Sequence, residues 1–332
     1  MTQLLWTQKQ DIGPTPRSFA PMAWDAANGQ VVLFGGLSAD NSTFLNDTWG
    51  WDGESWTQLD DIGPSQRARH ALVFDAKRMR IVLFAGIGGS NSSFTPLRDT
   101  WEWDGDAWTQ IADTGPSPRS GHAMVYDTAR GRVLLFGGND NGGALADTWS
   151  WDGVEWTQEQ DDGPHARTAH AMAYDSVRDR VVLFGGESFS SQQVTQTVSD
   201  GGISGAFGGT HTETHTVVTT NLLNDTWEFD GTLWTRAADT GPDPRAGAGM
   251  IYNGRSQILF GGRQDARFFN DTWEWDGAHW TQRQDIGPPA RAFAGMAFDA
   301  NRDRAVLFGG AAGTAAFGDT WEEFTRKPAP PA

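Results

Sequence analysis

The tripeptide Asp-Thr-Trp occurs six times, beginning at Asp47, Asp99, Asp147, Asp225, Asp271 and Asp319, and the rest of the chain falls into step with it. Upstream of each copy an apolar run ends in Phe-Gly-Gly or a near match, at Phe34, Phe84, Phe136, Phe184, Phe260 and Phe308. Successive Phe lie 48 to 52 residues apart, except for one interval of 76. A fixed period of this size marks an array of supersecondary units, none of which can bury its apolar faces alone. The 332 residues are therefore expected to form one repeat assembly rather than two unrelated lobes.

One unit reads as four strands. In residues 119–158, "RSGHAMVYD" is strand a, "RVLLFGG" strand b, "DTWSW" strand c and "EWTQ" strand d, separated by polar or Gly-containing turns. The c–d junction carries Trp-Asp-Gly, the Asp-Gly signal of a tight antiparallel hairpin. All 17 Trp take repeat slots: six follow Asp-Thr, four precede Asp-Gly, six open strand d, and Trp24 fills the strand-a aromatic slot. A ring that recurs in every unit is a packing device between sheets, because it buries a large area where they meet. The sixth unit runs out after its strand c, "DTWEEF", while a spare strand d, "LLWTQ", stands at residues 4–8. Pairing the two termini would complete the last sheet and leave no open edge.

These features resemble those of the kelch-repeat six-bladed β-propellers. The Gly-Gly after strand b, the strand-c aromatic, the strand-d Trp and the "PRSGH" opening at Pro118–His122 carry the likeness over nearly the whole chain. The resemblance implies an all-β propeller with four antiparallel strands per blade, its ring closed by the N-terminal strand completing the last blade. It spans residues 1–325, with an insertion in blade four at about 187–221 and a Pro-rich tail at 326–332.

Composition narrows the partners. With 42 acidic and 25 basic residues the formal charge is −17, which repels nucleic acid and anionic membrane surfaces. No apolar stretch is long enough for membrane insertion. The absence of Cys excludes disulfides and thiolate chemistry, and leaves open whether the protein is cytoplasmic or secreted after loss of a signal. No cofactor motif or separate catalytic signature is present, and composition does not address oligomeric state.

Each d–a connection reads Asp-x-Gly-Pro-x-x-Arg and supplies one of six Arg: Arg17, Arg67, Arg119, Arg167, Arg245 and Arg291. At the start of the innermost strand these are expected to ring one mouth of the central channel, where guanidinium groups suit carboxylates or sulfates. In kelch adaptors that capture acidic peptides, ligand-binding Arg occupy the matching position, and the likeness is closest at Arg119 with Ser120 and Gly121. The bland alternative is that loop acids, Asp11, Asp61, Asp113, Asp161, Asp239 and Asp285, neutralise the Arg. Two residues further on, where most units have Gly or Ala, stand Phe19, Arg69 and Phe293. A ligand without sixfold symmetry requires such departures.

Three residues past the Arg stand His70, His122 and His170, with Ala in the other three units. They resemble the kelch repeat's own strand-a His, which implies a structural hydrogen-bonding role. The insertion alternates as a hairpin should, on the same face as the d–a loops, and its "HTETH" sets His211, Glu213 and His215 on one side of a strand. His211 and His215 are about 13 Å apart there, too far to share one metal ion. Asn41 and Asn91 open glycosylation-type triplets.

The leading reading is a noncatalytic binding module that presents this loop face and an Arg-lined mouth to an acidic protein segment or an anionic glycan. The alternatives are a carbohydrate-active enzyme similar to the sialic-acid mutarotases, with Arg holding a carboxylate and His or Glu moving a proton, or a purely structural propeller. A radical copper oxidase is disfavoured because its Cys-modified Tyr cannot form, and the iron motif Glu-x-x-x-Asp-x-x-x-His of plant specifier proteins is absent.

Overall fold

The computed structural model describes residues 4–9, 12–90, 93–160, 162–199, 210–284 and 286–325, and these are all-β. Six antiparallel sheets carry the strands in order a to d. Sheet one is Met22–Asp25, Gln30–Ser38, Phe44–Trp51 and Trp56–Asp60, and sheet two is Ala71–Asp75, Arg80–Phe84, Thr100–Trp103 and Trp108–Ala112. Sheet three is Ala123–Asp127, Arg132–Phe136, Thr148–Trp151 and Trp156–Gln160; sheet four is Ala171–Asp175, Arg180–Ser199, Thr210–Phe229 and Trp234–Ala238. Sheet five is Gly249–Tyr252, Gln257–Phe260, Thr272–Trp275 and Trp280–Gln284. Sheet six is Gly295–Asp299, Arg304–Phe308 and Thr320–Thr325, with Leu4–Gln8 as its strand d.

The sequence explains these strands through their two faces. The centre of strand b is an unbroken apolar run, as Val31, Val32, Leu33 and Phe34, because sheets cover it on both sides; all four are fully buried. At the c–d turn Asp52 accepts hydrogen bonds from the backbone N–H groups of Glu54 and Ser55, each at 2.8 Å, and so fixes the pairing of Trp51 with Trp56. The apolar residues fall into six clusters, one between each pair of successive sheets and one between sheets six and one.

Every strand-d Trp crosses one of these junctions. Its indole N–H donates to the Asp-Thr-Trp threonine of the preceding sheet at 2.8–3.0 Å: Trp56 to Thr320, Trp108 to Thr48, Trp156 to Thr100, Trp234 to Thr148, Trp280 to Thr226 and Trp6 to Thr272. The Gly of the incoming d–a loop makes room for that ring, since a Cβ on Gly115 would lie 2.6 Å from Trp156 Cδ1. The Gly in Asp-x-Gly-Pro is thus a packing requirement of the adjoining sheet.

Strand a is shorter than its sequence pattern predicts. Arg119 and Ser120 leave it to bridge Leu97 and Asn139 in the b–c connections, and the strand proper starts at Ala123. The break is a left-handed residue, Gly121, with φ of 67°. The same pairing, Arg17 with Ser38 in sheet one, puts d–a and b–c connections on one face. In sheet four the insertion continues strands b and c, paired as far as Ser199 with Thr210, and the tip beyond lies outside the described residues. The Pro-rich tail, Asn91, Asp11, Asp161 and Asp285 also lie outside them.

Trp6 tests the role of the N-terminal strand. Trp6→Ala is expected to destabilise the protein by about 3–5 kcal/mol, as Trp156→Ala should in an internal sheet. Chemical denaturation of both variants measures this, and a near-silent Trp6→Ala would mean that the strand is a dispensable edge.

Candidate ligand-binding site

The six repeat Arg do not line the mouth, which corrects the sequence expectation. Each is 0–1% exposed. Each guanidinium is bidentate, at 2.5–2.9 Å, to the Asp of the next Asp-Thr-Trp: Arg17 to Asp47, Arg67 to Asp99, Arg119 to Asp147, Arg167 to Asp225, Arg245 to Asp271 and Arg291 to Asp319. A third bond goes to the carbonyl after the strand-b Phe, such as Gly137 for Arg119 at 3.0 Å. The guanidinium Nε donates to the carbonyl two residues back, that of Ser117 for Arg119. With their donors committed and no surface, these Arg have nothing to offer a ligand.

Their partners also differ from the loop acids anticipated. Asp61, Asp113 and Asp239 make no ion pair with a repeat Arg. The Asp-Thr-Trp carboxylate instead accepts from the Arg and from the indole N–H two residues on, as Asp147 does from Trp149 at 2.7 Å. Burial by itself would raise these carboxyls, but the Arg hydrogen bonds and charge outweigh it and hold Asp47, Asp99, Asp147, Asp225 and Asp319 below the ordinary 3.8.

The mouth is built from the next turn of chain. Phe19, Arg69, Gly121, Ala169, Gly247 and Phe293 all have φ between 53° and 68°. Their backbones form a closed cycle of hydrogen bonds at 2.7–3.2 Å, in which Phe19 N–H donates to Phe293, Phe293 to Gly247, Gly247 to Ala169, Ala169 to Gly121, Gly121 to Arg69 and Arg69 to Phe19. A left-handed backbone costs a non-Gly residue about 1–2 kcal/mol. Phe19, Arg69, Ala169 and Phe293 thus hold strained conformations that Gly would adopt freely, and three of these four carry large side chains.

Those three side chains line a cavity of about 170 Å³ with Thr168 and the small residues of the other units. Phe19 and Phe293 stack, centroids 4.1 Å apart at 28°. Arg69 lies over Phe19 at 4.3 Å and Arg263 over Phe293 at 5.7 Å. The result is a stack of Arg, Phe, Phe and Arg along one wall. Gly247 backs it, because a Cβ there would sit 2.4 Å from the Phe293 ring. Arg263 is neutralised by Glu187 at 2.9 Å.

Arg69 makes no ion pair among the described residues, although its side chain is exposed to solvent. Crowding in the concave mouth pushes its pKa down, Glu187 opposes that shift and Arg263 adds to it. A guanidinium remains cationic through such a change. Arg263 and Glu187 were missed from sequence, yet they share the slot after Gly-Gly in neighbouring units, and opposite charges in one repeat column were the available signal.

Below the mouth the channel narrows through His70, His122 and His170, then a girdle of Met22, Leu72, Met124, Met172, Met250 and Met296. Each imidazole meets edge-on the strand-b Phe of the preceding sheet, 5.4–5.5 Å between centroids. The backbone of that Phe lies close enough to influence the ring, but no imidazole nitrogen has a hydrogen bond of normal geometry among the described residues. Burial pushes all three pKa values down, that of His122 to about 3, with the neighbouring Arg adding to the effect. These His are neutral wedges between sheets. No group of three His, Cys, Asp or Glu among the described residues can hold a metal ion, and Glu213 and His215 stand exposed on the insertion.

Two stability outcomes follow. Arg119→Ala is expected to cost about 3–5 kcal/mol in chemical denaturation by stranding a part-buried Asp147, whereas Arg69→Ala should cost little. The three His accept a proton in the unfolded chain below about pH 6.5 but not in the folded one, so stability is full above that pH and declines as pH falls toward the folded values. Each contributes a slope of roughly 1 kcal/mol per pH unit. Replacing all three by Ala, the residue of the other three units, should flatten stability between pH 6.5 and 5.

A comparison of the chain with protein families matches residues 26–160 to the KLHDC2/KLHL20/DRC7 Kelch-repeats domain. No curated protein matches it significantly. The match begins just after strand a of sheet one and runs to the end of strand d of sheet three, and units four to six repeat the same Gly-Gly, Asp-Thr-Trp and strand-d Trp in the same sheets. Over residues 26–160 the chain is thus similar to a kelch-repeat domain, and the same repeat features recur in the all-β sheets that follow.

Proposed function

We propose that this protein is a noncatalytic, protein-binding propeller of six blades, residues 1–325, whose central mouth accepts an acidic group of a partner protein. Three features support the closed ring: the ladder from Leu4–Gln8 to Thr320–Thr325, the bond from Trp6 to Thr272, and the hydrogen-bond cycle through Phe19. Residues of all six sheets take part in that cycle, so the mouth has a rigid rim.

The observation that carries the ligand assignment is the unpaired Arg69 at the end of the aromatic stack. Its partner in the stack uses the π face, which attracts cations, and aromatic edges carry the opposite, positive sign. A cation and aromatic edges together favour an anion. The cavity of about 170 Å³ is large enough for one carboxylate-bearing side chain and too small for a typical drug-sized ligand. A protein segment is favoured over a glycan because kelch domains are protein-binding modules.

The test is binding of acidic peptides, their Asn or Gln analogues and N-acetylneuraminic acid, measured by calorimetry on the native protein and on Arg69→Ala. Acidic peptides should bind, and loss of either charge should weaken them about 10- to 100-fold, the range of a charge-assisted hydrogen bond. Equal affinity for the neutral analogues would refute the mouth assignment. Interconversion of the sugar's anomers would replace it with an enzyme.

A further inference from the structure

The repeat is broken a second time, independently of the mouth, and on the same half of the loop face. In the slot before Gly-Pro of the d–a loops stand Ile286, Ile12 and Ile62 on the three connections that lead into sheets six, one and two, where the other three loops have Thr114, Asp162 and Thr240. The three Ile are 78%, 81% and 79% exposed. Phe293, Phe19 and Arg69 belong to those same three sheets, so each Ile stands seven residues before a departing mouth residue.

Two of the three b–c connections of this half have the same character, while that of sheet one carries Asp40. That of sheet six is "AAGTAAF", residues 311–317, with no charged side chain, and in sheet two Phe94 is 54% exposed against Phe44 of sheet one. The corresponding connections of sheets three and five carry Asp140 and the charged run Arg263 to Arg267. The apolar side chains of this sector stand beside carboxylates, Asp40 in the b–c connection of sheet one and the Asp before each Ile, so what sets the sector apart is its exposed aliphatic side chains and not a lack of charge. Aliphatic side chains this exposed on three neighbouring loops of one face point to an interaction site. The cations of the sector that lack an ion pair among the described residues are Arg69 and Arg98.

We infer that the partner crosses the rim over sheets six, one and two, a protein segment whose aliphatic side chains cover Ile286, Ile12 and Ile62 while its carboxylate enters the mouth at Arg69. This rests on the mouth reading above and adds to it the direction of approach and the apolar half of the recognition. The pattern fits one anion among aliphatic residues, since a highly acidic segment would meet a chain of like charge and the Asp that precedes each Ile.

The experiment selects binders from a random-sequence peptide library on the native protein and measures the selected peptides against Arg69→Ala and against the triple variant Ile12→Ser, Ile62→Ser, Ile286→Ser. Thermal melts control for folding, and side chains this exposed should leave them unchanged. Selected peptides are expected to combine an acidic residue with aliphatic ones, and each variant should weaken them about tenfold or more. Retained affinity in the Ser variant with loss in Arg69→Ala overturns the sector and keeps the mouth. The reverse result overturns the mouth reading and keeps the sector, and an absence of binders overturns the inference. Sedimentation that shows a self-association abolished by the Ser variant assigns the sector to a second copy of this chain and likewise overturns it.

Discussion

The buried Arg–Asp pair is the interaction on which the rest of the structure depends. Each repeat Arg is stitched to two sheets. Its backbone joins the preceding sheet, as Arg119 N–H donates to Leu97 and its carbonyl accepts from Gly86, while its guanidinium binds Gly137 and Asp147 of its own sheet. Asp147 in turn orients Trp149, and Thr148 beside it receives Trp234 of the next sheet. One ion pair thus sets the start of strand a, the position of strand c and the contact to the following unit. A charge so deeply buried is tolerated only because every donor finds an acceptor.

A frame repeated six times is by its nature uninformative about a ligand, and recognition must come from departures. The frame supplies rigid, equivalent positions, and the mouth slot shows how they are used. Gly or Ala at three of its positions closes the hydrogen-bond cycle with little bulk, while Phe19, Arg69 and Phe293 bring large side chains into the opening at the cost of strain. The neutral His on three sheets and Ala on the others have a different effect, changing how tightly neighbouring sheets are wedged at the floor of the mouth. Symmetry makes the scaffold stable, and its breaking gives the mouth one polar end.

Much of this was legible in the chain. The six Asp-Thr-Trp copies, the apolar run of strand b and the spare strand at residues 4–8 led directly to six four-stranded sheets with the first strand paired to the last. The Trp slots led to packing rather than to an aromatic box, as their bonds to Thr show. The repeat Arg misled, because six guanidiniums near a channel look alike whether they face solvent or protein. Arg67 and Arg69 illustrate the difficulty: two residues apart in one segment, one is fully buried on Asp99 and the other stands open on Phe19.

What the sequence determined alone was everything governed by local period and repetition: strand content, the turn chemistry, the packing role of the aromatics and the columns in which units differ. Only the tertiary structure decided which acid each Arg meets, because Asp99 lies 32 residues from Arg67 and reaches it through the register of strands b and c. It also decided which column faces the opening. That depends on a left-handed residue reversing the chain at the rim, and a backbone conformation imposed by hydrogen bonds from two neighbouring sheets leaves no mark on a Phe or an Arg read by itself.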